Sequence, residues 1–319
     1  MDTQRLILFF VFSFSILMLW EAWQKEGRPA QGPATSETSV PTPASAPASS
    51  ATVNVSPKVA GGVPTASGGA APAKRDRVRV TTGELVAEID TLGGDLVYLE
   101  FLEHKDFDDK NKNFILLTPD YRYSVQSGLI GTDLPNHKTL YIASARVAAL
   151  APGRDHLEVR LEAPSVNGMK VVKVLTFHRN SHIIDISHEI MNANSEPFAA
   201  HAYFQVTRDG KSPPGDTKMM STYTGAGIYT EQDKYVKVGF SDIDKGKTPY
   251  SKTADNGWIG MVQHYFVTAL LPLEKQPREF YTRKLAEDFY SAGVIVPTVV
   301  IAPGATGKVT MRVYAGPQE

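Results

Sequence analysis

Three histidines crowd one short stretch, HRNSHIIDISH: His178, His182 and His188. Imidazole is the commonest metal ligand, and it changes charge nearest neutrality. A zinc site needs three or four such donors converging on one point. Here Arg179, Asn180 and Ser181 read as a tight turn between two apolar runs. His178 and His182 flank that turn, and His188 lies well along the return strand. The spacing favours solvent-facing histidines on a hairpin over a ligand set. A second chemistry is acid–base catalysis, with a histidine and a carboxylate facing each other across a cleft. His201 in FAAHAYFQVTRDG and His264 are its candidates, with Glu189 or Asp209 as partner. The competing role for His264 is a core histidine bonded to backbone. A third chemistry is calcium binding by DFDDKNKN, from Asp106 to Asn113. That stretch lacks the glycine at the sixth position and the closing glutamate of a calcium loop, and reads as a solvated loop. The chain holds no cysteine, so disulfides, thiolate metal sites and cysteine nucleophiles are excluded. It also lacks a Walker loop, HExxH and GxSxG. No catalytic residue, cofactor or metal ligand is assigned on these grounds, and the chain is not expected to be an enzyme.

The segments that would position these residues read as β-strands. RVRVTT, GELVAEIDTLGGDLVYLEFL, HLEVRLEAP, MKVVKVLTFHR, HIIDISHEIMN, VIVPTVVIAPG and GKVTMRVYAGP alternate or run apolar, and Gly, Pro, Asn or Asp bound them. In HLEVRLEAP, Leu157, Val159 and Leu161 share one face, and Glu158, Arg160 and Glu162 the other. The turn RNS predicts a hairpin from Met169 to Met191. REFYTRKLAEDFYSAG predicts strand–turn–strand. GWIGMVQHYFVTALLP, residues 257–272, is apolar on both sides when read as a strand bent at Gln263 and His264, as a covered central strand is. It is too short and too polar at its centre to span a bilayer. No alternation of strand and helix occurs, so a parallel doubly wound sheet is not expected. The pattern predicts a large antiparallel β-sandwich over 75–319. The most polar part, from Arg208 to Asn256, is expected to be a long surface excursion or a docking surface.

Two further zones precede it. In 1–24, an apolar run from Leu6 to Trp23 is broken only by Ser13, Ser15 and Glu21. As a helix it would reach about 27 Å at 1.5 Å per residue, close to the hydrocarbon thickness of a bilayer. Trp20 and Trp23 stand where interfacial tryptophans would. The following EAWQKE makes a poor signal-peptidase site, which favours an uncleaved anchor. Residues 25–74 are rich in Pro, Ala, Ser, Thr and Gly. Such a stretch buries too little apolar surface to offset its ordering entropy, so a flexible tether is expected. Net charge is −1, with no basic stripe for nucleic acid.

MDTQR followed by one apolar span and LWEAWQ resembles the start of the bacterial membrane protein insertase family YidC. TLGGDL, YSVQSGLIG, LTFHRNSHIIDISHEIMNANSEPF, DKYVKVGFSDI, GWIGMVQHYFVTALLP and VYAGP resemble segments of that family's periplasmic domain, in the family's order. The resemblance implies a galactose-mutarotase-like β-supersandwich in the periplasm, held to the inner membrane by one transmembrane helix with its start in the cytoplasm. It implies nascent inner-membrane proteins and Sec translocon subunits as partners, and the lipid bilayer along Leu6 to Trp23. It also implies that the insertase bundle lies beyond this chain, which is expected to be a fragment. The rival expectation is a tethered carbohydrate-binding or sugar-isomerising protein on the same fold.

Overall fold

The computed structural model describes residues 62–64, 76–199, 201–213, 222–273, 275–297 and 300–318. The expected span from Leu6 to Trp23 lies outside them, as does nearly all of the expected tether. Among the described residues no helix is long and apolar enough to cross a membrane.

Strands dominate, as the alternation predicts. The first third holds β1 (Arg77–Thr81), β2 (Leu85–Asp90), β3 (Asp95–Lys105), β4 (Asn113–Leu117), β5 (Ser124–Ile130), β6 (Ile142–Ala143) and β7 (Val147–Ala149). The middle holds β8 (His156–Glu162), β9 (Met169–His178), β10 (Ile183–Asn192), β11 (His201–Asp209), β12 (Gly225–Thr230) and β13 (Lys234–Val238). A short helix, α1 (Phe240–Asp244), precedes β14 (Thr253–Ala254), β15 (Trp258–Gln263), β16 (Phe266–Pro272), β17 (Arg278–Ala286), β18 (Phe289–Pro297) and β19 (Thr306–Pro317).

They form two sheets. One has ten strands in the order β14-β17-β18-β11-β5-β3-β2-β1-β7, with β4 also on β3. The other has nine, in the order β13-β12-β15-β16-β19-β10-β9-β8-β6. Every pairing is antiparallel except β1 with β7. Inner-facing residues of both sheets build one core that includes Ile89, Leu99, Phe204, Val294, Leu175, Ile186 and Val313, all at most 2 % exposed. Burying side chains of this size stabilises by roughly 1.5–3 kcal/mol each, which is how two sheets without disulfides hold together.

Two expectations need correction. Residues 257–272 are not one bent strand. They are β15 and β16, folded back at His264 and Tyr265 with Gln263 paired to Phe266. Val267 therefore leaves the face of Ile259 and Met261 and packs with Val262 and Ala269 on the outside of the sheet. The region from Arg208 to Asn256 is not merely a surface excursion. It supplies β12, β13 and α1, and buries Ile228, Val238, Ile243 and Tyr250. Its strands lie at the sheet edge and use Gly225, Ala226 and Gly227, residues of low β-propensity, so its composition hides them.

Candidate functional site

Three of the segments that carry the family resemblance meet inside the sandwich. TLGGDL turns β2 into β3, with Gly93 at φ +82° and Gly94 at φ +61°. These are left-handed conformations that suit glycine. A Cβ on Gly94 would come within 2.9 Å of Lys173 Cδ. Lys173, on β9, is fully buried. Its ammonium donates to the carbonyls of Gly93 and Ser127, the latter at 3.0 Å, and lies 5.3 Å from the Tyr141 ring centroid. Burial lowers its pKa to about 8, against the attraction of Asp95. His188, on β10, is also fully buried, and its Nε2 hydrogen-bonds Ser127 Oγ at 3.1 Å. Burial first, and then the Lys173 charge, push its pKa well below the usual histidine value. His188 is therefore an interior neutral imidazole, not the solvent-facing histidine expected. An amine near pKa 8 is a nucleophile in principle, but this one is enclosed between sheets. It joins the Gly93–Gly94 turn to both layers.

A second buried cation sits elsewhere in the same interlayer. Arg208 on β11 donates through Nε to the Asp209 carbonyl at 3.0 Å, through Nη1 to Gln263 Oε1 at 2.7 Å and through Nη2 to the Lys211 carbonyl at 2.8 Å. Its guanidinium lies 5.2 Å from the Tyr123 ring centroid and 6.0 Å from that of Phe240.

The outer surfaces carry the accessible sites. On the ten-stranded sheet a polar row draws its residues from four strands. Tyr281 Oη donates to Gln205 Oε1 at 3.1 Å, Gln205 Nε2 to Gln126 Oε1 at 2.8 Å, and Gln126 Nε2 to Asp95 Oδ2 at 2.9 Å. The row opens into a cavity of about 320 Å³ lined by Asp90, Asp95, Gln126, His137, Arg122 and Phe289 among others. Desolvation holds the His137 pKa down to about 4, so its ring is neutral at physiological pH. Behind it, His137 Nδ1 meets Tyr203 Oη at 2.5 Å. On the nine-stranded sheet a wider groove of about 680 Å³ is walled by Tyr223, Tyr235, Trp258, Tyr265, Tyr314 and Lys237 among others. Tyr223 and Tyr314 are pinned by hydroxyl bonds to the carbonyls of Ala226 and Pro317. Tyr265 stands at the groove rim, 66 % exposed, with φ +62°.

The residues singled out by sequence do not converge. His178 Nε2 faces Asp185 Oδ2 at 2.9 Å. His182 packs edge-on to Phe101, with ring centroids 5.3 Å apart. No group of three or more metal-binding side chains forms among the described residues. His201 begins β11 and Asp209 ends it, roughly 27 Å apart at 3.4 Å per residue. Glu189 lies on the other sheet and is held by Arg160 and Lys308. His264 turns the β15–β16 hairpin. In the acidic loop, Asp106 Oδ1 accepts from the backbone of Asp108 and Asp109, and Asp109 pairs with Lys112 at 3.3 Å. Those carboxylates are spent on the loop itself. Sequence reasoning missed two members of the interior set, Lys173 and Arg208, and placed the third, His188, at the surface. Their positions were encoded. Lys173 continues Val171, Leu175 and Phe177; His188 continues Ile184, Ile186 and Ile190; Arg208 continues Ala202, Phe204 and Val206. Each polar residue stands in an apolar stripe of period two.

Two antiparallel sheets packed face to face, with Lys173 and Arg208 buried between them and bonded to carbonyl oxygens, define a β-sandwich domain. A family model, the YidC periplasmic domain, matches residues 77–319, and the chain belongs to that family. A membrane protein insertase YidC from Nitrosospira multiformis is 46 % identical over 335 residues, covering 100 % of this chain and 59 % of its own length. One from Dechloromonas aromatica is 47 % identical over 319 residues, covering 100 % of this chain and 57 % of its own length. The chain thus spans less than two thirds of these curated relatives. Among solved structures, a galactose mutarotase related enzyme from Lactobacillus acidophilus superposes with a TM-score of 0.48 at 8 % identity, over 76 % of this chain and 100 % of that one.

Proposed function

We propose that this chain is the N-terminal anchor and periplasmic domain of an inner-membrane protein insertase. In this reading residues 1–24 hold the chain in the bilayer with the N-terminus in the cytoplasm. Residues 25–74 form the tether, and the sandwich, 75–319, works in the periplasm as scaffold. The parent protein helps apolar segments of nascent inner-membrane proteins move from water to lipid, a transfer driven by the hydrophobic effect. It acts alone or beside the Sec translocon. The domain itself performs no bond chemistry. One observation carries the reading: the family match over 77–319, with insertase-named relatives aligned along the whole chain.

Depleting the protein from its own cell should slow membrane insertion of short inner-membrane proteins, and photocrosslinking should join nascent chains to it. Unchanged insertion on depletion would refute the reading. Topology has its own test. Protease added to spheroplasts should cut within 25–74 and release the sandwich, while a tag before Met1 stays protected. For Sec docking, the exposed Lys245 and Lys247 beside α1 are the residues to reverse. Lys245→Glu with Lys247→Glu should reduce co-purification of Sec subunits at a stability cost of no more than about 1 kcal/mol, from loss of the exposed Lys247–Asp242 pair.

A further inference from the structure

The chain holds two Asn–Gly steps, Asn167–Gly168 and Asn256–Gly257. Such a step carries its own chemistry. The backbone nitrogen of the glycine attacks the asparagine side-chain Cγ. A new C–N bond closes a five-membered succinimide, the Cγ–Nδ2 bond breaks, and ammonia leaves. The attacking nitrogen gives its proton to solvent, and the leaving nitrogen takes one from solvent. Water then opens the ring at either carbonyl, leaving aspartate or iso-aspartate. Glycine favours the attack because it has no Cβ to shield its nitrogen.

The fold treats the two steps differently. Attack requires the following nitrogen on the same side as the asparagine Cβ. Asn167 has φ +48° and Gly168 has φ +70°. In the left-handed region ψ is about +47°, which turns the next nitrogen anti to Cβ and out of reach. Val166 and Met169 lock that turn by exchanging backbone hydrogen bonds at 3.1 and 2.8 Å, and Asn194 Nδ2 donates to the Asn167 carbonyl at 2.8 Å. Asn256 is not left-handed. It lies half-buried at the entry to β15. Its Oδ1 accepts from the Glu231 backbone N–H at 2.8 Å, and its Nδ2 donates to Asp255 Oδ1 at 2.7 Å. That N–H polarises the Cγ carbonyl and stabilises the negative charge that attack places on Oδ1. Asp255 holds the nitrogen that departs, and Arg278 in turn donates to the Asp255 carbonyl at 2.6 Å. The glycine cannot be exchanged for a safer residue. Gly257 has φ +90°, and a Cβ there would lie 1.9 Å from the Tyr229 carbonyl oxygen. The reactive step is built into the way β15 meets β12.

We propose that Asn256–Gly257 is a self-modifying site, where the folded protein converts Asn256 through a succinimide to iso-aspartate and aspartate. The site does not depend on the insertase reading. The product carboxylate has no hydrogen to give Asp255, and the two negative charges repel. The iso form also adds one carbon to the main chain beside the Tyr229–Trp258 pair. Conversion therefore loosens this end of the β12–β15 pairing as the protein ages, faster as hydroxide rises.

The test incubates the whole chain in nanodiscs at neutral and mildly alkaline pH, digests it and follows the peptides by mass spectrometry. The peptide holding Asn256 should gain the mass of amide-to-acid conversion and split into two chromatographic forms, iso-aspartate the larger. The peptide holding Asn167 should convert at least about tenfold more slowly, the kind of loss that misaligned reacting atoms produce. In urea the two should convert at similar rates, since both are then free Asn–Gly steps. Asn256→Gln should stay unconverted on the same timescale, because its ring would need six members. Aged wild type should lose amide protection from Tyr229 to Glu231 in hydrogen exchange, and aged Asn256→Gln should keep it. Asn167 converting as fast as Asn256 in the fold would overturn the proposal. So would an Asn256 that converts only in urea, or one that yields aspartate alone.

Discussion

Lys173 and Arg208 are both buried cations, and the sandwich treats them differently. Lys173 is a point charge under a turn, and backbone carbonyls of Gly93 and Ser127 receive it. Arg208 is a flat fork whose three donors reach three separate acceptors while Tyr123 and Phe240 flank it. An ammonium is strongly hydrated and gives up its proton when water is withdrawn. A guanidinium spreads its charge and does not. The Lys173 region thus has a way to relieve its burial cost, and the Arg208 region has none. Arg208 must be satisfied by geometry alone. That difference makes Arg208 the stiffer joint, tying β11 to the β15–β16 hairpin through Gln263.

The sharpest test is Arg208→Met. It preserves apolar volume but leaves Gln263 Oε1 and two carbonyls without their donor. Stranded buried polar atoms cost about 1–3 kcal/mol each, partly offset by removal of a desolvated charge. The expected loss is about 4 kcal/mol in urea unfolding, and Arg208→Lys should recover only a minor part, since lysine cannot fork. If Arg208→Lys proves as stable as wild type, the geometric account of this joint is wrong.

Next in size are the glycines that roof Lys173. Gly93→Ala would bring a Cβ within 2.6 Å of the His137 carbonyl oxygen at φ +82°, and Gly94→Ala would press on the Lys173 stem at φ +61°. Left-handed strain and contact together cost about 1–3 kcal/mol. Gly93→Ala should be the worse of the two, because backbone cannot yield as a lysine chain can. A double variant, Gly94→Ala with Lys173→Met, should lose less than the two single losses added, since both act on one contact. Strict additivity, measured by the same urea titrations, would show that Gly94 is not there for Lys173.

How much of this was legible beforehand follows from what alternation encodes. Period two marks inner and outer faces, so it gave the strands, the hairpin of β9 with β10 and the antiparallel sandwich. It also placed Lys173, His188 and Arg208 inward, although charge and the nearby turn drew attention to solvent instead. Alternation does not say which distant residue receives a buried donor. Ser127 and Gly93 are 46 and 80 positions from Lys173, and nothing in either local pattern points to the other. Edge strands failed for another reason. β12 packs through small residues, and its glycines accommodate the Tyr223 and Tyr235 rings, so the apolar bulk that identifies a strand is borrowed from elsewhere. The polar row on the ten-stranded sheet was invisible for a third reason. Tyr281, Gln205, Gln126 and Asp95 come from four strands and meet only once register is known.

The smallest effects lie in pH, where the two cations should part most cleanly. Lys173 titrates near 8 in the fold, because burial withdraws water from its charge, and near 10.4 when unfolded. Between those values the unfolded chain binds more protons, so stability rises with pH from about 8 upward. The rise ends near pH 10. There the unfolded tyrosines ionise, while Tyr123 and Tyr203 are kept protonated by burial, which turns the slope downward. Lys173→Met should flatten the alkaline rise, so that wild type gains on the variant between pH 8 and 10. Arg208→Met should leave the shape of the profile unchanged while lowering it throughout. The acid limb belongs to the buried imidazoles. His188 and His137 stay neutral in the fold below their unfolded value of about 6.5, so stability falls as pH drops below that point, and the His137 share ends near 4. Thermal melts of wild type and both variants across pH 4–10.5 separate these contributions. A wild-type profile flat between pH 8 and 10 would mean that Lys173 keeps its proton through the whole range, and the two cations would then be alike in all but shape.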